Sequence, residues 1–362
     1  MNNLDLSSAI RSYKHAVLAY LNFGYWSKIV PAAQKALKKP HAEDMENTLT
    51  AGLLAVDYFA WSKQSHQGKE MLTIVKRLVD DNGCACPEYI SSLLKVYQSC
   101  ITMSDYETAF GHFYRSWEAG PDVDDLFPLK RAQVMALKCG RSDLVYDAIA
   151  EIYKNRGSCL STIPFLSAMV SFGLEQIGDY EAAERVARDG YACQGAATDD
   201  IWLDHAVIHS LYFQGPERQP DALDFFRDHH ESWNARQESL IPLNVRIFDE
   251  DLWWEGRETT AGMFTSANLE DDHVIANALG LLWKLQCCSS QPSDESAATA
   301  LRSRWRSVAA VAVAAPSWLS HVDSLLDVLL VRGLVEADRL QDAETLVGLR
   351  SSLFYRITER AF

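Results

Sequence analysis

The most regular patterning of apolar and polar positions lies between Phe165 and Phe213. Met169, Phe172, Leu174 and Ile177 fall two or three positions apart, as on one face of a helix. Gly178-Asp179 breaks the run. A second helix opens on Ala182 and Ala183 and continues through Val186, Ala187 and Gly190, small side chains that let a neighbouring backbone approach closely. The next helix carries Trp202, His205 and His209. Its two histidines stand four residues apart, on one face of a helical period.

The same plan recurs along the chain. Residues 42–63 predict a helix with Leu49, Leu53, Val56, Phe59 and Ala60 as its apolar face, followed by KEMLTIVKRLVDD. Pro87 opens YISSLLKVYQSC, and the break ITMSD leads into YETAFGHFYRSWEAG, where Ala109 and Phe110 repeat the spacing around Ala183. Another pair turns at Cys139-Gly140-Arg141-Ser142, and a further one at Gln214-Gly215-Pro216-Glu217. Near the C-terminus, Asp342-Ala343 again follows a turn. No segment has the strict alternation of a long strand. A helix–turn–helix unit of about 34 residues with this pattern is the tetratricopeptide (TPR) type of repeat. The expected fold is therefore all-α, a TPR-like αα-superhelix built as a right-handed solenoid of helical hairpins.

Within that frame, residues 1–87 read as an N-terminal helical cap or lid continuous with the solenoid. Its aromatic residues Tyr13, Tyr20, Phe23, Tyr25 and Trp26 are dense, and Pro31 should start or kink a helix. Residues 88–290 read as the central repeats, with helices over Pro242 to Trp254 and Val274 to Leu285. Gln291 to Ala298 reads as a loop. Residues 297–362 read as C-terminal repeats and cap, with a helix over Trp318 to Gly333.

Composition narrows the function classes. A 362-residue chain that is 48% hydrophobic and 23% charged fits a folded globular protein. Its formal charge of −15 argues against nucleic-acid partners and against a polybasic membrane anchor. MNNLDLSSAI lacks the basic region and apolar run of a signal peptide. The most apolar stretch, Val308 to Pro316, is too short to span a bilayer. The eight cysteines are dispersed and read as reduced thiols of a cytoplasmic protein. Cys84-Ala-Cys86 is not a redox CxxC and reads as a turn, and Cys287-Cys288 as a helix end.

Several segments together resemble the tetratricopeptide repeat protein 38 family. Ala168 to Gly190 is similar to that family's SFGL helix, turn and AE-x-x-A helix. Trp202, His205 and His209 match a tryptophan followed by histidines three and seven positions later. Asn244 and Gly256 resemble the ends of the next family helix, and LLWKLQ with Arg304 and Trp305 resembles a further pair of motifs. The likeness runs over about residues 88–310. Where the family pattern has further histidines, this chain has Leu211, Leu243 and Ile247. The resemblance implies an αα-superhelix with an inner pocket and a histidine cluster reduced to His205 and His209.

Those two histidines could line a small-molecule pocket as acid–base groups, or simply be hydrogen-bonded within the helix stack. They are the only plausible metal pair, and a zinc site needs at least a third ligand. Asp204 points about 100° away on the same helix. Asp249, Glu250 and Asp251 lie on the next inner helix. No metal and no cofactor is predicted. Trp202, Asn244, Arg246, Asp249 and Trp253 are the candidate ligand-binding residues. Arg246 either clamps an anionic group or pairs along its own helix with Asp249 or Glu250. Trp253 either stacks on a planar ligand or packs against a neighbouring repeat. His229-His230 sits near a helix end, where positive charge is favoured. No GxSxG, GxGxxG or GxxxxGK[ST] motif is present.

Two functional readings follow. One is a ligand- or peptide-binding protein that uses the concave inner groove of the solenoid. The other is a small-molecule enzyme in which His205 and His209 act as a general base and its partner in a closed pocket.

Overall fold

The computed structural model describes residues 5–18, 22–61, 64–81, 86–99, 105–156, 165–194, 201–218, positions within 220–229 and 275–286, 295–314, 319 and 324–361. All regular structure among them is helical. The chain forms two compact units, Met1–Val245 and Arg246–Phe362. Among the described residues, no helix is long and apolar enough to cross a membrane.

The first unit is a run of helical hairpins. Helices α1 (Leu6–Leu18) and α2 (Asn22–Lys38) are followed by α3 (Met45–Trp61) and α4 (Ser65–Asp81), then α5 (Glu88–Gln98) and α6 (Tyr106–Glu118). Next come α7 (Phe127–Lys138) and α8 (Ser142–Arg156), then α9 (Leu166–Gln176) and α10 (Tyr180–Gln194). Helix α11 (Ile201–Phe213) follows. Each helix packs on its neighbour in sequence, and the first helices of hairpins also meet, α1 on α3, α3 on α5 and α9 on α11. Contacts this local are the signature of a helical solenoid. Pro31 lies inside α2 rather than at a helix start.

One turn recurs, and it explains the small-residue signature after each break. At the end of α7, the Arg141 N–H reaches back to the Ala136 carbonyl, with Gly140 at φ +68°. At the end of α9, the Asp179 N–H reaches the Leu174 carbonyl, with Gly178 at φ +85°. These are helix ends closed through a left-handed residue, which glycine adopts at least cost. Asp179 then accepts from the Ala182 N–H and caps α10. The alanine that follows faces the preceding helix: Ala183 is fully buried, and Ser171 Oγ of α9 donates to its carbonyl. Ala109 is equally buried at the start of α6. The expected apolar face of α9 holds at Met169 and Leu174, whereas Ile177 is exposed as the helix ends.

Helix α3 is buried on nearly every side, from Thr48 through Asp57. Of its expected face, Leu49, Leu53, Val56 and Phe59 are buried and Ala60 only partly, and the charged Asp57 is buried with them. Tyr13 of α1 and Tyr97 of α5 each donate to the Asp57 carboxylate over 3.1 Å. Trp61 Nε1 donates over 3.3 Å, and Arg131 Nη2 of α7 over 2.6 Å. The guanidinium lies 4.5 Å from the Trp61 ring centre and 5.5 Å from that of Phe127. Four first helices, α1, α3, α5 and α7, thus converge on one carboxylate, and side chains fill the space between them. Burial opposes the Arg131 charge, but Asp57 and then the two tyrosines hold the guanidinium above its ordinary value. Burial, followed by Asp57, pushes the phenols of Tyr13 and Tyr97 well above theirs, so both remain donors. Lys14 of α1 pairs with Asp125 just before α7, and the His15 ring packs edge-on against Phe165 at 5.1 Å.

In the second unit, α12 (Glu295–Ala314), α13 (Ser324–Glu336) and α14 (Leu340–Ala361) pack in order. The same left-handed turn reappears between α13 and α14, with Asp338 at φ +65° in place of glycine and the Arg339 N–H on the Leu334 carbonyl. Ala343, after it, is buried. Trp305 of α12 is almost fully buried beside Gly333. Helix α12 begins at Glu295, inside the stretch that reads as loop: Glu-Ser-Ala-Ala is polar in composition but serves well as a first turn. Helix α13 covers the expected helix from Ser324 on, and Trp318 with residues 320–323 lies outside the described residues. The expected helix from Pro242 to Trp254 lies outside the described residues.

Candidate functional site

Beyond the Asp57 hub, the layer of first helices continues through α7, α9 and α11. Helix α11 is apolar nearly all round, with Leu203, Val207, Ile208 and Leu211 fully buried, so it is held firmly between neighbours. One face departs from that pattern. Trp202, His205, His209 and Phe213 follow one another at helical spacing, with ring centres 5.1, 4.1 and 5.8 Å apart in succession. The His205 and His209 rings are inclined by 31°, nearly stacked. Phe213 closes the ladder against Tyr180 of α10 at 5.5 Å.

Two neighbouring helices complete the cluster. From α9, Glu175 places both carboxylate oxygens 3.2 and 3.3 Å from His209 Nδ1. In that contact the ring donates from Nδ1 and the carboxylate accepts. Glu175 is buried, while the His209 side chain keeps 25% of its surface exposed. From α7, Lys130 sets its Nζ 4.8 Å from the Phe172 ring centre and 5.1 Å from that of Trp202. Both distances are within cation–π range.

His205 lies in the middle. The residue is half-buried, but its ring is desolvated, and Nδ1 has no hydrogen-bond partner among the described residues. Burial, then the neighbouring His209, then Lys130 push its pKa well below 6.5. His205 is therefore a neutral imidazole at pH 7. The arrangement joins a carboxylate-oriented histidine, a neutral buried histidine, a lysine held on aromatic faces and an indole.

Of the residues singled out from the sequence, the structure brings Trp202, His205 and His209 together. Asn244, Arg246, Asp249 and Trp253 lie outside the described residues. Among the described residues, no group of His, Cys, Asp and Glu side chains could hold a metal ion. His229 stands apart from the cluster, stacked on Phe225 at 4.1 Å. His112 of α6 is also separate; burial, then Arg115 and Lys95, lower its pKa.

Sequence reasoning missed Lys130 and Glu175 and took Phe172 for core. A signal for Glu175 was present: it precedes His209 by 34 residues. That is one repeat, the same place on the preceding first helix. The Arg218–Glu184 pair spans the same interval. Compared with protein-family models, curated proteins and solved structures, the chain matches none of them.

Proposed function

We propose that this protein binds a small ligand on the inner layer of a TPR-like solenoid, at the cluster built by Lys130, Phe172, Trp202, His205 and His209. The observation that carries this reading is the cluster itself: aromatic faces and nitrogen-bearing side chains from α7, α9 and α11 gathered around a partly exposed His209. Ligand sites commonly combine apolar walls with a few convergent polar groups in this way. The Asp57 hub favours a small ligand over an extended peptide, because side chains already occupy the space between α1, α3, α5 and α7. We further infer that the hairpins are true tetratricopeptide repeats and that the chain is a divergent relative of the tetratricopeptide repeat protein 38 family. We also infer a cytoplasmic location, with which the reduced thiols of Cys139 and Cys193 accord.

The test is thermal unfolding of the full chain against a panel of small metabolites and, separately, a pool of extended peptides. Stabilisation by a metabolite that disappears in His209→Ala supports the reading. Stabilisation by peptides alone overturns it. A second reading is an enzyme that modifies such a ligand, and the specific observation behind it is Glu175 on His209 Nδ1. A carboxylate that orients an imidazole is how a general base is commonly held. In that case Glu175→Gln lowers turnover of the stabilising metabolite more than its binding, as followed by mass spectrometry.

A further inference from the structure

We propose that the α13–α14 hairpin docks a helix from another protein. That helix is amphipathic, with small and aliphatic side chains on one face, an aromatic residue near its C-terminal end and a basic or amide side chain just beyond. The hairpin belongs to the second unit, so this docking surface stands independently of the small-ligand reading.

The chain's own repetition defines the occupant. Gly178 and Asp338 take the left-handed conformation in the same hydrogen-bonded turn. The N–H groups of Gly178 and Asp179 reach the carbonyls of Glu175 and Leu174, as those of Asp338 and Arg339 reach Val335 and Leu334. The hairpins α9–α10 and α13–α14 therefore align residue for residue, Leu174 with Leu334 and Ala183 with Ala343, all four buried. Gly173 and Gly333 align too, and each lies close against the helix that precedes its hairpin, at Tyr146 and at Trp305.

On α9–α10 the following helix, α11, covers the next side. His209 meets Glu175, Phe213 stacks on Tyr180, and Ala187 packs with Ala206, Val207 and Leu211. Just past α11, Gln214 and Arg218 donate to Glu184. The aligned residues on α13–α14 are Val335, Leu340, Val347 and Glu344. The three apolar ones are 45, 54 and 49% exposed, whereas Ala187 is fully buried. Glu344 is exposed and makes no ion pair among the described residues. A repeat without a neighbour ordinarily carries a polar outer face. This hairpin instead keeps apolar side chains and a carboxylate where α9–α10 receives a helix.

Two differences adapt the docked helix. Val335 stands where Glu175 does, so an aliphatic side chain suits the place of His209. Arg350, bonded to Asp327 over 2.9 Å, stands where Gly190 lets Leu203 approach. A small side chain therefore suits the place of Leu203.

The probe is a fluorescent peptide carrying residues 201–218 with Leu203→Ala and His209→Leu, titrated with the full chain and read by anisotropy. It should bind about tenfold more tightly than the unaltered 201–218 peptide. Val347→Glu in the chain should weaken binding by about tenfold or more, because the docked helix would bury an unpaired charge. Glu344→Lys should weaken it several-fold, and Arg218→Glu in the peptide should restore that loss. Circular dichroism checks that each variant is folded, and the two peptides on the wild-type chain decide the question if one is not. Binding of neither peptide overturns the proposal, as does binding that both chain variants leave unchanged. A concentration-dependent dimer in sedimentation that Val347→Glu dissociates also overturns it and gives the face to a second copy of this chain.

Discussion

At the scale of single residues, His205 makes a prediction whose sign can be worked out. Its folded pKa lies well below the ordinary 6.5 because burial, His209 and Lys130 all disfavour the imidazolium. Glu175, on α9, faces His209 rather than His205, and Asp204 is buried on the same helix as His205. Below pH 6.5 the unfolded chain therefore takes up a proton that the folded chain does not, and stability falls as pH falls. The loss begins near the unfolded value and continues towards the folded one. For one proton its slope cannot exceed about 1.4 kcal/mol per pH unit. His205→Gln, which carries no titrating group, should flatten the fall in thermal midpoint between neutral and mildly acidic pH. A wild-type slope retained in full in His205→Gln would show that other groups carry it.

At the scale of helices, packing distance decides what each glycine is for. Gly190 of α10 runs so close to α9 and α11 that a Cβ there would lie 2.5 Å from Ser167 Cβ and 3.0 Å from Leu203 Cδ2. Gly348 of α14 has nothing within 4 Å of the same position. Alanine favours a helix over glycine by roughly 1 kcal/mol, while overpacking costs about 1–3 kcal/mol. Gly190→Ala should thus lower stability and Gly348→Ala should raise it, opposite signs for one substitution, both read from thermal unfolding. Much of this level was legible in the sequence. Ala182-Ala183 after Gly178-Asp179 marked a close helix pair because small side chains and a left-handed turn leave a local trace. His205 and His209 shared a face by spacing alone. Glu175 and Lys130 were not legible in the same way, since their partners lie on other helices and only the repeat interval links 175 to 209. Asp57 was hidden differently. It sits among apolar neighbours on α3, and nothing local announces that Tyr13, Tyr97 and Arg131 converge on it.

For the molecule as a whole, the question is how far a disturbance travels. A solenoid of nearest-neighbour contacts would confine it to adjacent repeats. Asp57 breaks that rule within the first unit, since it joins α1 to α7 across 74 residues of sequence between Asp57 and Arg131 alone. Removing one partner of a buried ion pair leaves the other charge uncompensated and commonly costs about 3–5 kcal/mol, whereas replacing both by apolar groups costs far less. Asp57→Asn should therefore destabilise strongly, and Asp57→Leu combined with Arg131→Met should recover much of the loss in chemical denaturation. The reach of the change is the sharper observation. The hub ties four helices together, so native-state hydrogen exchange in Asp57→Asn should accelerate across α1, α3, α5 and α7 as one group. The second unit has its own core around Trp305 and Leu334. Amides of α12, α13 and α14 should then exchange at their wild-type rates. Equal acceleration in both sets would mean that the chain opens as a single cooperative body, and the hub would then be a lock for the whole protein rather than for its first unit.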